Sequence, residues 1–391
     1  KNKRMRKIVL LCVLSVLSVF STKAQTDIDT RDIGGITTAM PFLLIIPDAR
    51  AGGMGDMGVA TSADAFSLFH NPAKIAFSNR QVKAGITYSP WLRNLTDDIF
   101  TGSGSYINRF SENAAWGADF KYFSLGQIDL TDSQGNPNGI IKPNELAVSG
   151  AYALKLSETF SMGVSLKYLR SNLTLTGVSG TLQPINSFAV DVSGYYQSLE
   201  ENYGNFNGRY RLGFNIANIG PKVSYVPGTD QDDFIPTNLK LGGGFDFILD
   251  DYNTISTNIE FTKLLVPTPP VRDQNTGAII SGEDDNVGWV SGMFQSFGDA
   301  PGGFSEEIKE FTYALGAEYL YNNAFALRAG YFHESVDKGN RQFFTLGGGF
   351  KTNALNIDLS YLVNASDVNN PLENSLRFSL SFDLGEIFED Y

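Results

Sequence analysis

Four neighbouring side chains near the C-terminal end have the functional groups of a hydrolase. His333 is followed by Glu334, Ser335 and Asp337, so a base, two carboxylates and a hydroxyl lie close together in the chain. A catalytic triad also needs hydrogen-bond geometry, which a sequence does not contain. A solvated loop explains the same residues, and we favour that interpretation over a hydrolase site.

Two further patterns could hold a ligand. Residues 53–58 match G-x-G-x-x-G, but a dinucleotide site needs a βαβ unit around the glycines. An apolar run between Pro41 and Pro47 precedes them instead, so we expect the glycines to permit tight backbone turns. A glycine-containing loop offers oxygen ligands for calcium without strict spacing, and Asx turns explain it equally well. Its oxygen-bearing side chains are Asp129, Asp132, Asn136 and Asn138. We therefore assign no catalytic residue, cofactor or metal from the sequence.

Residues 1–24 have the layout of a secretory signal peptide. A basic head precedes an apolar run over 8–20, and small residues follow before Gln25. An N-terminal membrane anchor is the alternative, but the run is shorter than the roughly 20 residues that a spanning helix needs. The only cysteine, Cys12, lies in this run, so the exported chain has no thiol chemistry. Removing this segment, with its six Lys or Arg, leaves a net charge of −18, which argues against a nucleic-acid partner.

The segments that must position the candidate side chains described first alternate apolar and polar residues with period two. In residues 114–123, Trp116 and Phe120 fall on one face, while Asp119 and Lys121 fall on the other. Such a strand can separate lipid from a wet lumen. We predict an all-β fold, a 14-stranded antiparallel transmembrane β-barrel over residues 81–391 in the outer membrane. The predicted strands are 81–89, 99–108, 114–123, 145–154, 160–169, 187–196, 209–217, 238–247, 253–262, 311–320, 324–331, 342–350, 353–361 and 375–384.

Two features of the connections support this strand count. All 15 prolines lie outside the predicted strands, as a ladder without free edges requires. Short and long connections also alternate, which is the pattern of periplasmic turns and outer loops. The link at 197–208 is the exception, because it is longer than the other periplasmic links. A soluble sandwich or propeller is the rival architecture, but its strands would be shorter.

Residues 25–80 do not resemble membrane strands. They contain the proline-bracketed apolar run, the glycine-rich stretch and His70, which we expect to cap or pack this segment. A barrel of this width needs filling if it is not to leak. We predict that the segment is an N-terminal plug, with a periplasmic extension as the alternative.

Two motifs in this segment resemble a known family. Residues 47–55 read Pro-Asp-Ala-Arg-Ala-Gly-Gly-Met-Gly, and Asn-Pro-Ala follows at 71–73. This pattern resembles the PorV (LptO) outer-membrane proteins of the type IX secretion system, within the FadL-like group of fourteen-stranded barrels. The resemblance covers the exported chain and is most specific over 41–80. The residues that we assign to the plug are Pro47, Asp48, Arg50, Gly52, Gly53, Gly55, Asn71 and Pro72.

The resemblance implies a function without catalysis. PorV-like barrels are plugged, partner the translocon barrel (SprA or Sov), and shuttle cargo with a conserved C-terminal domain to an attachment complex that contains the PorU sortase. The resemblance also implies that outer-membrane lipid surrounds the barrel wall. The alternative is a FadL-like transporter of hydrophobic small molecules, since the same fold can host either function. A transporter would need an apolar pocket below the outer loops.

The connection at 263–310 is the longest and has no regular pattern. Segments of this length are usually functional or disordered, and exposed aromatic and Met side chains suit a protein contact. We hypothesise that this loop docks the translocon or its cargo; the alternative is a lid folded over the barrel mouth. The residues assigned to this contact are Leu264, Leu265, Trp289, Met293, Phe294 and Phe297.

Overall fold

Fourteen long strands dominate the computed structural model, which describes residues 35–90, 98–132, 134–173, 183–226, 232–366 and 375–388. They are β1 (Arg80–Pro90), β2 (Ile99–Arg109), β3 (Ala114–Leu125), β4 (Asn144–Lys155), β5 (Phe160–Asn172), β6 (Ile185–Gln197), β7 (Asn207–Ile219), β8 (Asn238–Ile248), β9 (Asn253–Leu264), β10 (Thr312–Tyr321), β11 (Phe325–His333), β12 (Gln342–Lys351), β13 (Leu355–Asn364) and β14 (Leu376–Ile387). All fourteen predicted strands are present, so the predicted fold class is confirmed. The predicted signal peptide lies outside the described residues.

The strands form one closed antiparallel sheet. Each strand pairs with its neighbours in the chain, and β14 returns to pair with β1, where Tyr88 lies opposite Phe378. Closure matters because lipid offers no hydrogen-bond partner to an open sheet edge. Among the fourteen long strands, as the structure describes them, only β1 includes a proline, Pro90, at its last position.

Burial along each strand is the reverse of that in a soluble protein. In β3, Trp116 and Phe120 are exposed, while the charged Asp119 and Lys121 between them are buried. The other strands bury serines, threonines and charged residues in the same alternating way. The apolar face therefore lies outside, against lipid, and the polar face lines the lumen.

The short turns mark the periplasmic end of the barrel. Asn322 and Asn323 join β10 to β11 with φ angles of 52° and 48°, the left-handed pair that a tight hairpin turn requires. The link between β6 and β7 is again the long one. It contains a two-residue strand, Glu201–Asn202, that pairs with the start of β7.

The outer connections contain small elements of their own. The β3–β4 loop holds the hairpin Ile128–Thr131 with Pro137–Ile141, and the β9–β10 loop holds Val271–Arg272 paired with Ile279–Ser281. Two helices follow in the β9–β10 loop, Trp289–Gln295 and Phe304–Lys309. No helix among the described residues is long and apolar enough to cross a membrane.

The N-terminal segment, residues 35–79, lies inside the barrel, and we call it the plug. It consists of short helical turns joined by extended stretches rather than strands. The turns are Pro41–Leu44, Ala49–Gly52, Ser67–Phe69 and Pro72–Phe77. Most plug residues from position 46 to 78 are buried. The hydrophobic core of the molecule is therefore the contact between the plug and the inner wall.

Candidate functional site

Arg50 is the centre of the contact between the plug and the wall. Its guanidinium donates to Asp64 Oδ2 at 2.9 Å and to Ser62 O at 3.1 Å within the plug. It also donates to Glu318 of β10 at 2.9 and 3.1 Å, in the bidentate geometry that suits arginine and carboxylate. Arg50 thus holds two parts of the plug together and attaches both to the wall.

The ion pair continues along the wall away from Arg50. Glu318 Oε2 also accepts from Arg328 Nε at 2.6 Å, and Arg328 Nη1 donates to Asp358 at 2.6 Å. The resulting chain of alternating charges crosses β10, β11 and β13. Each buried charge has an opposite neighbour, which offsets much of the free energy lost on removing it from water.

Buried charges also stabilise the plug internally. Burial opposes ionisation of Asp64, but Lys74 and Arg50 outweigh it and hold the pKa of that carboxyl well below its usual range. Burial lowers the pKa of Lys74 to about 8. The Lys74 ammonium donates to Gly58 O at 2.8 Å and to Thr61 Oγ1 at 2.9 Å, so it fixes the turn that follows the glycine motif.

Asp48 joins two distant parts of the plug. Its Oδ2 accepts from Ala51 N at 2.8 Å and caps the turn Ala49–Gly52. Its Oδ1 lies 2.6 Å from Nε2 of His70, and both side chains are buried. Gly58 lies beneath the His70 ring, where a β-carbon would overlap it. His70 therefore packs the plug, as its sequence context predicted.

Two further wall residues hold the glycine-rich stretch. Glu260 of β9 accepts from Gly58 N at 2.8 Å and from Val59 N at 2.9 Å. Arg377 of β14 pairs with Asp56, with Nη2 3.1 Å from Oδ2. Charged wall residues thus fix a backbone that has no regular hydrogen-bonding pattern of its own.

Asn71 and Pro72 anchor the end of the plug nearest β1 in the chain. Asn71 Oδ1 accepts from Ala73 N at 3.0 Å and caps the turn that Pro72 begins. Its amide donates to Val59 O at 2.8 Å and to Gly194 O of β6 at 3.0 Å. This asparagine therefore joins two plug segments and the wall.

Glycines of the inner wall let the plug backbone touch the strands. Gly55 has a φ of 79°, and its N–H donates to Thr345 Oγ1 at 2.9 Å. A β-carbon on Gly330 of β11 would overlap Gly55 N, and one on Gly347 of β12 would lie 3.0 Å from Gly53 Cα. The wall glycines that face the plug in this way are Gly85, Gly117, Gly163, Gly213, Gly242, Gly316, Gly330 and Gly347.

All eight residues assigned to the plug from the sequence lie in the segment inside the barrel. Asp48, Arg50 and Asn71 make the polar contacts described above. Gly53 and Gly55 lie close to the backbone of wall strands, and Gly52 lies close to wall side chains. The sequence reasoning missed the wall partners, above all Glu318 and Arg377. Their signal was a charged residue at an inward position of a strand, but nothing in the sequence identified the plug residue that it meets.

The hydrolase-like group near position 335 does not form a triad. His333 stacks on Tyr313 with ring centroids 4.7 Å apart, and its Nδ1 lies 3.2 Å from the Tyr331 hydroxyl. Glu334 pairs with Arg341, and Ser335 Oγ accepts from the N–H of Asp337. The histidine therefore belongs to an aromatic patch and not to a nucleophile–base pair.

The oxygen-rich loop and the glycine motif also have structural explanations. Asp132 accepts from Gln134 N at 2.9 Å and from Asn136 N at 2.8 Å, which is an Asx turn at the tip of a hairpin. The G-x-G-x-x-G stretch crosses the lumen between barrel strands, without a βαβ unit around it.

The residues assigned to a partner contact separate into exposed and buried ones. Phe294 and Phe297 are 75% and 50% exposed. Leu264 is the last residue of β9, and Leu265 is only 4% exposed. Leu265 N also donates to Thr237 O of the β7–β8 loop at 2.8 Å. The expectation that Leu265 is exposed is therefore wrong. Trp289 and Met293 are half-buried.

The β9–β10 loop runs from 265 to 311, two residues later than expected at its start, and it is not structureless. Gly292 packs closely against Phe234 of the β7–β8 loop and against Pro267 at the start of its own loop, so one side of the first helix is covered. The second helix adds Phe304 and Ile308, which are 80% and 55% exposed and were missed from the sequence. One side of this loop therefore packs inward, as a lid would, while the other presents apolar side chains.

A cavity of about 500 Å³ lies between the plug and the inner wall, and Glu310 at the end of this loop is one of its lining residues. Its apolar lining comes from both the plug and the wall, and charged side chains surround it. The apolar residues include Pro41, Leu44, Ile46, Ala314, Phe332 and Phe343. The charged residues include Lys240, Glu260, Glu310, Glu334, Lys338 and Arg341.

The closed, plugged cylinder has the fold of the FadL-like fourteen-stranded outer-membrane barrels. The CymD monoaromatic hydrocarbon channel superposes with a TM-score of 0.50 at 15% identity, covering 88% of this chain and 99% of that one. The Ralstonia pickettii toluene transporter TbuX has a TM-score of 0.47 at 12% identity, over 86% and 97% of the two chains. At such identity the likeness concerns the fold alone. No curated protein matches the sequence.

A family model identifies the sequence more narrowly. The model for the type IX secretion system protein PorV matches residues 28–271, more than half of the chain. The chain belongs to the PorV family. It is thus an outer-membrane component of type IX secretion.

A double-mutant cycle on Arg50→Met and Glu318→Gln tests whether the plug is attached through this pair. Breaking a buried ion pair by removing one partner typically destabilises by about 3–5 kcal/mol, and contacting pairs couple by about 0.5–3 kcal/mol. We expect both effects in urea unfolding of the protein in detergent. The exposed pair Lys309–Asp337 is the control and should contribute about 0–1 kcal/mol. Equal, additive losses at both pairs would contradict a special role for Arg50.

Gly330→Ala should loosen the plug, because the new methyl group would overlap the backbone of Met54 and Gly55. Overpacking of this kind destabilises by about 1–3 kcal/mol. Gly348→Ala on the neighbouring strand β12 is the matched control, since nothing lies within 4 Å of its β-carbon position. Limited proteolysis of the plug and the urea midpoint would measure the effect. Similar behaviour of the two variants would show that the plug does not pack on the wall as described.

Proposed function

We propose that this protein is a non-enzymatic docking platform of type IX secretion. In this proposal it partners the translocon barrel (SprA-like or Sov-like) and passes cargo with a C-terminal signal domain to the attachment complex that contains the PorU sortase. Membership of the PorV family supports the secretion role. The specific partners and the shuttling step are the proposal.

One observation carries the proposal: a plug occupies the lumen, while the long outer loop exposes large apolar side chains. Phe294 and Phe304 lie on the two helices of this loop, and Phe297 and Ile308 extend the exposed surface. Soluble surfaces seldom expose several such side chains together without a binding role. Aromatic residues are also enriched at protein interfaces.

We assign this surface to the translocon barrel. The loop connects β9 and β10, whose outward faces meet lipid, so a neighbouring barrel in the same membrane could contact the wall and the loop together. The packing of Gly292 on Phe234 and Pro267 supports a loop held in place before a partner arrives. A pre-ordered surface loses less conformational entropy on binding.

The test replaces Phe294, Phe297, Phe304 and Ile308 by serine. The matched control changes Val271 and Ile280, which are exposed on the hairpin of the same loop. We expect at least a tenfold loss of translocon co-purification and of cargo secretion for the first variant and little change for the control. Retention of the translocon with loss of cargo would assign the surface to cargo. Retention of both would overturn the docking proposal.

The cavity favours one second function, transport or storage of a hydrophobic small molecule. Its volume of about 500 Å³ falls in the range of small-ligand pockets, and its apolar lining comes from the plug and the inner wall. On this alternative, solvent extraction of the purified protein followed by mass spectrometry should reveal a stoichiometric apolar compound. Ala314→Phe, which fills the cavity, should reduce its amount while cargo secretion is unchanged. Absence of such a compound from the wild-type protein would eliminate the alternative.

A further inference from the structure

A group of charged residues, most of them buried, lies where the long outer loop meets the barrel. Asp299 and the helix Phe304–Lys309 belong to the loop, while Lys263 lies near the end of β9 and Lys338 lies between β11 and β12. We call this group the acidic cluster; it consists of Asp299, Glu306, Glu307, Glu310, Lys263 and Lys338.

The two lysines bind three of the carboxylates. Lys263 Nζ donates to Glu310 Oε2 at 2.5 Å and to Glu307 Oε2 at 3.2 Å. Lys338 Nζ lies 2.5 Å from Glu306 Oε1 and 3.1 Å from Glu310 Oε1. Four carboxylates and two ammonium groups leave the cluster with a formal charge of −2 when all are ionised. An excess charge out of water is unfavourable unless something compensates it.

Asp299 is the carboxylate of the cluster that neither lysine contacts in the ion pairs above. It is 1% exposed, and its Oδ2 accepts from Thr268 N at 3.0 Å. Its Oδ1 is buried and has no hydrogen-bond partner among the described residues. Buried carboxylate oxygens almost always have a partner, so this oxygen is available to a ligand that the polypeptide does not supply.

The spacing of the carboxylates fits a metal ion. One oxygen from each of Asp299, Glu307 and Glu310 lies within 4.8 Å of the others. Two oxygens that each lie about 2.3–2.6 Å from a Ca²⁺ ion are at most about 5 Å apart. We propose that these three residues bind a calcium ion, with water supplying the remaining ligands.

The chemistry of the cluster selects calcium among common metals. The ligands are all carboxylate oxygens, and they include no histidine or cysteine, which zinc would favour. Calcium tolerates irregular, water-completed coordination, whereas magnesium demands near-ideal octahedral geometry. One Ca²⁺ also balances the formal charge of −2. Extracellular calcium modules bind at about 10⁻⁴–10⁻³ M, and we expect a dissociation constant in that range.

Binding would tie the loop to the barrel. Asp299 precedes the second helix, and Glu307 and Glu310 lie on and just after it, while Lys263 joins both glutamates to β9. The ion would therefore stiffen the segment that carries Phe304 and Ile308. This inference goes beyond the proposed docking role and does not depend on it.

The test is calorimetric titration of Ca²⁺ into the full chain in detergent after chelator treatment. The wild-type protein should bind one ion per chain. Asp299→Asn keeps the side-chain shape but removes a charged ligand, and it should weaken binding at least tenfold. The matched control is Asp284→Asn, an exposed carboxylate of the same loop that pairs with Arg272. It should bind like the wild type.

A second measurement follows the loop directly. Calcium should slow chymotrypsin cleavage after Phe294 and Phe304 in the wild type and in the Asp284→Asn variant, but not in Asp299→Asn. Heat-modifiable migration on gels would verify that the wild-type barrel and both variant barrels are folded. Absence of calcium binding to the wild type, equal binding by the Asp299→Asn variant, or tighter binding of Mg²⁺ would each overturn the proposal. Loss of translocon binding or its retention has no bearing on this result.

Discussion

Matching of buried charge between plug and wall is the constraint on which the rest of the structure depends. A strand that presents apolar residues to lipid must present its polar residues to the lumen, and here the plug occupies much of that space. Glu318 therefore meets Arg50 and Arg328, and Arg211 of β7 pairs with Asp246 of β8. Because several wall charges have their partners on the plug, the plug completes the electrostatics of the barrel and cannot be regarded as an appended domain.

The alternation of residues predicts the wall of this molecule well and its interior poorly. All fourteen strands follow from period-two patterning, because lipid on one side imposes the pattern along the whole strand. The partners across the lumen do not follow, since nothing local relates Arg50 to Glu318, which is 268 positions away. Lys121 shows the same limit, because its ammonium donates to the backbone carbonyls of Leu43 and Ile45, which any sequence offers.

The long outer loop eluded prediction for a different reason. Its helices have seven and six residues, too few for a helical period to emerge and too short to be stable without tertiary contacts. Leu265 appeared available for a partner but is buried by the neighbouring loop. The observed apolar surface instead extends to Phe304 and Ile308, which follow the aromatic residues that we had assigned from the sequence. Because the plug occupies the lumen and is tied to the wall by ion pairs, this outer surface is the one available for contact with other proteins.

The pairing of β14 with β1 has a consequence for biogenesis. The ring is sealed only when the last long strand reaches the first, so the cylinder is open along one side until the C-terminal end of the chain has arrived. The plug precedes β1 in the chain and is available throughout this period. The open side gives the plug a route into the lumen. The plug can then serve as a template, on which the glycine-bearing strands pack and their charged residues find partners before β14 pairs with β1.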